Sequence, residues 1–166
     1  GEHGFWCKHH TFQEAIHVPL IVSSPGMKKN VKSDALVEYV DIYPTISEIA
    51  GLTPPEYIHG KSFVPILNNP KLDFKDEIYS RYQFREVVQD KEYSYHEILY
   101  YPETEKNKYG AKTHIPGTKI VVTQKMLFDM KNDQIQSVDI SDYPKNKKIV
   151  EEYSKKLKKM RDFSEN

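Results

Sequence analysis

The first twelve residues, Gly1-Glu2-His3-Gly4-Phe5-Trp6-Cys7-Lys8-His9-His10-Thr11-Phe12, gather the chain's one cysteine, its one tryptophan and three of its seven histidines around a lysine. Such side chains can attack as a thiolate, ligate a metal, move a proton or bind an anion. Each use sets a condition. A nucleophilic Cys7 needs a base; Lys8 and the histidines would favour the thiolate, but no catalytic-cysteine signature surrounds it. His9 and His10 are adjacent, so on a helix or strand they point apart and do not face one metal; they read as one site residue beside one surface residue. Lys8, between an aromatic pair and a histidine pair, is an anion contact or a surface lysine. Gly1 and Gly4 allow a tight path around Glu2 and His3, and equally suit a loose terminus.

Composition narrows the classes. The 166 residues, 38% hydrophobic and 12% aromatic, are enough for a real core. Lys plus Arg and Asp plus Glu each number 24, so no global field favours nucleic acid or an anionic membrane, and an anion site must be local. A single cysteine forms no intrachain disulfide and gives no zinc or iron–sulfur spacing. No apolar run approaches the roughly 20 residues of a membrane span. The chain starts at Gly1, already inside dense chemistry, and this reads as a cut end whose upstream part is missing.

The elements that must position the opening run follow from periodicity. Thr11 to His17 has a capping-box pattern, with Thr11 as N-cap and Glu14 three residues on, and Phe12 and Ile16 on its buried side. Val18-Pro19-Leu20-Ile21-Val22 predicts a strand buried on both faces, of the kind found in parallel sheets. Val37 to Asp41 predicts a short extended stretch. Ile42, Ile46 and Ile49, with Pro44 early and Gly51 after the end, predict a helix of about two turns. Phe63 to Leu67 predicts a short docked helix or turn. Ile78 to Tyr82, Lys91 to Tyr101, Lys119 to Thr123 and Lys125 to Met130 predict strands of an antiparallel sheet, with Glu103 to Thr113 as an exposed loop or hairpin tip. Ile149, Tyr153, Leu157 and Met160 line one face of a terminal helix over 145–162, whose lysines and glutamates read as its solvated outer side.

Four ordered motifs carry a family resemblance. Gly1 to Gly26, with Glu2-His3-Gly4, then Trp6-Cys7-Lys8, then Glu14-Ala15-Ile16-His17-Val18-Pro19-Leu20-Ile21, resembles the sulfatase segment that follows the second pair of metal ligands. Val40-Asp41-Ile42-Tyr43-Pro44-Thr45 with Ala50-Gly51, Gly60-Lys61-Ser62-Phe63-Val64-Pro65-Ile66-Leu67, and Leu127-Phe128-Asp129-Met130-Lys131-Asn132-Asp133 are similar to three later sulfatase motifs. His17 and the Ile78–Tyr82 stretch are most similar to the iduronate-2-sulfatase-like branch. The resemblance implies an α/β chain: a partial alkaline-phosphatase-like core over 1–70, followed over 71–166 by a small C-terminal antiparallel β-sheet subdomain with a closing α-helix.

It also implies a function: the C-terminal portion of a formylglycine-dependent sulfatase acting on a sulfated carbohydrate or glycosaminoglycan. By position Lys8 corresponds to the sulfate-contacting lysine. His9 and His10 are then candidate catalytic partners, and His3 and Arg81 candidate substrate contacts. Calcium and the formylglycine are expected in the complete enzyme, with the calcium ligands and the Cys/Ser-x-Pro-Ser-Arg motif upstream, so no metal ligand is expected here. The expected partners are the sulfated substrate and the N-terminal remainder of the sulfatase, with no nucleic acid and no membrane span; the expected setting is periplasmic, secreted or lysosomal. Two alternatives stand beside this: a phosphodiesterase or phosphonate hydrolase of the same superfamily, and a non-catalytic sulfated-glycan-binding remnant. The stretch from Phe84 to Gly117 matches none of the motifs.

Overall fold

A computed structural model of the chain describes residues 1–106, 110, 112–115 and 117–164. In chain order its elements are helices α1 (Gln13–Ile16), α2 (Ile42–Ile49) and α3 (Val64–Asn68), strands β1 (Ile78–Tyr82), β2 (Arg85–Gln89), β3 (Tyr93–Tyr100), β4 (Thr104–Lys106), β5 (Lys112–His114) and β6 (Val121–Asp129), and helix α4 (Lys147–Ser164). They form two compact units, one of Gly1–Val18 with Tyr79–Asn166 and one of Pro19–Ile78. The opening run therefore folds with the C-terminal sheet, across the boundary that the sequence suggested near residue 70.

In the first unit the sheet order is β1-β2-β3-β6, and β4 pairs with β5 in a separate two-stranded ribbon. The pairs β2–β3 and β3–β6 are antiparallel, with Val88 opposite Tyr95 and Tyr95 opposite Leu127. Successive side chains of a strand point to opposite faces, so Val88, Tyr95 and Leu127 share one face while Val87, His96 and Phe128 share the other. Tyr153 and Leu157 of α4 cover the first face, with Ile149 and Met160 packed at its margin. Full burial of each such side chain contributes roughly 1.5–3 kcal/mol. The apolar stripe of the terminal helix is thus the one read from the sequence.

A polar clamp on the same face fixes α4 in register. The Arg161 guanidinium donates to Glu86 at 2.7 Å and to Glu97 at 2.7 Å, and all three are buried. Tyr79 donates to Glu86 at 3.1 Å; Tyr95 and Ser154 donate to Glu97 at 2.9 and 2.8 Å. Burial raises the pKa of Glu86, against the opposing pull of Arg161 and Arg81. Two carboxylates withdrawn from water need such partners, because an unpaired buried charge is strongly destabilising.

In the second unit two sequence motifs meet. The Asp41 carboxylate is fully buried and accepts the Glu38 and Lys61 backbone N–H groups, each at 2.9 Å, and pairs with Lys75 at 2.8 Å. Burial alone would lower the Lys75 pKa, but its bonds to Asp41 and Glu38 outweigh this and raise it. Thr45 donates to the Asp41 carbonyl at 2.6 Å and accepts the Phe63 N–H at 3.0 Å. Gly60 lies so close to the Val40 carbonyl that an added Cβ would stand 1.8 Å from its oxygen. Asp41, Thr45 and Gly60 are therefore joints of this unit.

Several expectations change. Thr11 does not cap α1; Phe12 is its N-cap, and the Thr11 hydroxyl is taken by His96. Residues 18–22 form no strand, and Leu20 and Ile21 are exposed at 45% and 92%. A strand needs ladder partners for its backbone, and no described segment of the chain offers them. Residues Tyr39–Asp41 form a 3-10 turn rather than an extended stretch. On α2 the buried positions are Pro44, Thr45 and Ser47, while Ile46 and Ile49 face outward. The two strands expected around Thr123 are one, β6, and β2 was not foreseen. The expected hairpin at 103–113 is β4 and β5; residues 107–109 and 111 lie outside the described residues.

Candidate functional site

The opening run bends through a 3-10 turn at Glu2–Gly4, and both His3 and Cys7 hold left-handed backbone, with φ of 54° and 65°. Residues with a Cβ adopt that region rarely, so the surrounding contacts must hold it. His3 supplies one of them. Its Nε2 donates to the Ile135 carbonyl at 2.9 Å and lies 3.3 Å from a Glu14 oxygen, and its ring stacks on Phe12 at 4.2 Å. His10 supplies another: it is buried, and its Nδ1 accepts the Phe12 N–H at 3.3 Å. In the neutral ring the proton then sits on Nε2. Burial lowers the His10 pKa, with Glu14 pulling the other way.

Below them is a polar network that the sequence reading missed. His96 is fully buried on β3, with Thr11 at 3.1 Å from Nδ1 and Ser94 and Gln136 at 2.9 and 3.3 Å from Nε2. The Gln136 amide nitrogen only donates, so His96 Nε2 accepts, and its proton sits on Nδ1 and goes to Thr11. Burial accordingly lowers the His96 pKa to about 3, keeping the ring neutral. The Gln136 carbonyl in turn accepts the Gln13 N–H at 2.7 Å. With Phe12, Phe128 and Met130 packed beside it, this network seats the run on the sheet face opposite α4.

What remains outside is the segment between the anchors. Trp6, Cys7, Lys8 and His9 are exposed, Trp6 at 82%. His9 lies flat on Tyr82, ring centroids 5.3 Å apart and planes within 3°. Phe5 lies 5.2 Å from the Arg85 guanidinium carbon, which also stands 4.5 Å from the centre of the Phe84 ring. The β1–β2 turn thus holds both ends of the arch that presents Lys8. Arg81 is placed elsewhere: it lies 3.5 Å from Glu86 and donates to Tyr101 at 2.8 Å, on the face that α4 closes. The structure brings Lys8, His9, His10 and His3 into one loop, and leaves Arg81 with the buried carboxylates. Tyr82 and Arg85 went unnoticed because the two-residue link Gln83-Phe84 carries no glycine, asparagine or proline to mark a turn.

Among the described residues no three His, Cys, Asp or Glu side chains converge to hold a metal. These residues do not fit a calcium site. The arrangement instead offers an exposed ammonium on a braced loop, beside an exposed imidazole and a buried neutral one.

Comparisons with known proteins bear on this loop and sheet. The family model described as N-sulphoglucosamine sulphohydrolase, C-terminal, matches residues 1–163. Arylsulfatase K of Mus musculus is 38% identical over 68 residues, which is 41% of this chain and 12% of that protein. Among solved structures, BT4656 in complex with its substrate D-glucosamine-2-N,6-O-disulfate superposes with a TM-score of 0.61 at 18% identity, covering 82% of this chain and 26% of that one. The phosphonate monoester hydrolase SpPMH from Silicibacter pomeroyi superposes with a TM-score of 0.72 at 18% identity, covering 94% and 31%. At that identity the likeness establishes the α/β fold with its antiparallel sheet and closing helix. The chain spans less than a third of the length of any of these proteins.

Proposed function

Because the chain belongs to the N-sulphoglucosamine sulphohydrolase C-terminal family, we propose that it is the C-terminal portion of a sulfatase, and that Lys8 contacts the oxygens of a sulfate ester on a carbohydrate. The observation that carries this reading is the braced presentation of Lys8: an exposed ammonium whose loop is tied at Phe5 and His9 to the β1–β2 turn, at Thr11 to His96 of β3 and at His3 to the Ile135 carbonyl, with His10 bonded to the Phe12 N–H within the run. A cation fixed before the reaction stabilises developing negative charge without reorganisation. His9 is exposed beside Lys8, with its ring stacked on Tyr82. His10 is a neutral ring with an Nε2 proton to donate in a hydrogen bond, and His3, whose Nε2 is engaged, acts as a tie. The nucleophile, a formylglycine by resemblance, and calcium belong to the rest of the enzyme. The complete protein is read as exported, with a substrate of the iduronate-2-sulfatase-like kind.

The test uses the full-length parent protein with 4-nitrophenyl sulfate and a sulfated oligosaccharide. Lys8→Ala is expected to lower kcat/KM about a hundredfold, the size of one lost transition-state charge contact. Near-normal activity removes Lys8 from the site. Faster turnover of a phosphonate monoester than of either sulfate moves the enzyme to the alternative reaction class.

A further inference from the structure

The chain has three arginines, and the fold uses them differently. Arg161 and Arg81 both face Glu86, Arg161 at 2.7 Å and Arg81 at 3.5 Å, so their charge is spent on a buried carboxylate. Arg85 immediately precedes Glu86 in β2, and strand alternation turns it to the other face, the one the opening run covers. There its guanidinium lies 4.5 Å from the centre of the Phe84 ring and 5.2 Å from that of Phe5, and it forms no ion pair among the described residues. Aromatic faces hold a guanidinium by its plane and leave the N–H edge to other acceptors. That edge is a fork suited to two oxygens of one carboxylate or sulfate.

The location gives the fork a use. Phe5 and His9 are the two feet of the arch that carries Lys8, and they rest on Arg85 with Phe84 and on Tyr82 of the β1–β2 turn. Lys8 and Arg85 are thus two cations displayed from one connected patch, and neither is neutralised by a carboxylate among the described residues.

We propose that Arg85 is a specificity residue that binds a second anionic group of the substrate, a sulfate or carboxylate on the sugar beyond the ester being cleaved. The inference rests on the sulfatase reading and deepens it. A singly charged aryl sulfate has one anion, which Lys8 meets; a polyanionic sugar presents a second, which Arg85 meets.

The experiment compares full-length wild type, Arg85→Met and Arg85→Lys on 4-nitrophenyl sulfate and on a disulfated glucosamine. Met keeps much of the stem between Phe5 and Phe84 and removes the charge. For Arg85→Met the loss of kcat/KM on the disulfated sugar is expected to exceed that on the aryl sulfate by roughly tenfold, mainly through KM, and Lys is expected to recover part of it. Equal losses on both substrates, with or without a lower melting midpoint, make Arg85 a packing residue and overturn the proposal; so does an unchanged ratio. A binding titration with the disulfated and the monosulfated glucosamine separates the two readings. If wild type cleaves neither ester, the sulfatase reading fails, and Arg85 is then judged by binding alone: Arg85→Met must lose at least fivefold more affinity for the disulfated sugar than for the monosulfated one, and a smaller difference overturns the assignment.

Discussion

At the scale of single residues, His96 shows how a side chain far from any exposed chemistry can govern it. It is held neutral among Thr11, Ser94 and Gln136, with its pKa lowered to about 3 by burial. An unfolded histidine titrates near 6.5, so above that pH both states are neutral and the network keeps its full contribution. As pH falls below it, the unfolded chain takes up a proton that the folded ring refuses. Stability is then lost at up to about 1.4 kcal/mol per pH unit until the pH nears 3. Denaturant unfolding of the protein between pH 7 and pH 4 is expected to show this slope, and His96→Gln to flatten it. A variant whose stability falls in parallel with wild type shows that the proton goes elsewhere.

At the scale of elements, the antiparallel sheet is buried on both faces by partners of different character. Helix α4 covers one face with Tyr153 and Leu157 and a clamp from Arg161; the opening run covers the other with Phe12 and a histidine network. Strand β2 lies between the two coverings, which is why its residues Glu86 to Gln89 are all buried and its pattern lacks the polar alternation of an exposed strand. In the second unit the joint is a close approach of backbones. Gly60→Ala would drive a Cβ to within 1.8 Å of the Val40 carbonyl oxygen, separating Asp41 from the Lys61 N–H and Thr45 from the Phe63 N–H. The expected loss is on the order of 3–5 kcal/mol, seen as a lower denaturation midpoint and faster proteolysis within residues 19–78. Gly51→Ala is the control: Gly51 has φ of 69° but open space around it, so only the roughly 1–2 kcal/mol of left-handed strain is expected. Equal effects from both would mean that close approach is not what Gly60 provides.

At the scale of the whole molecule, the second unit leaves an unusual share of its apolar side chains in water. Leu20, Ile21, Tyr39, Tyr43 and Ile46 are all exposed, Ile21 at 92% and Tyr39 at 72%. Apolar side chains left in water favour association with other apolar surface. The 166-residue chain expressed alone is therefore expected to self-associate, with light scattering showing mass that grows with concentration. A monomer that melts in one cooperative transition would count against an interface role for these residues.

The sequence by itself determined what short-range pattern can carry. The 3.6-residue stripe from Ile149 to Met160 gave α4, because periodic burial survives wherever a helix docks. The ordered motifs from Gly1 to Asp133 gave the family and singled out Lys8, because both are properties of residue identity and order. Tertiary structure decided the rest. It sent Ile46 outward on α2 and left residues 18–22 without a ladder, because burial and pairing depend on a neighbour that periodicity cannot name. It also set Arg81 on one face of the sheet and Arg85 on the other, and turned Thr11 from a helix cap into the partner of His96. The contacts of Arg85 with Phe5 and of Thr11 with His96 join residues 80 and 85 positions apart, and only the folded sheet brings them within reach of one another.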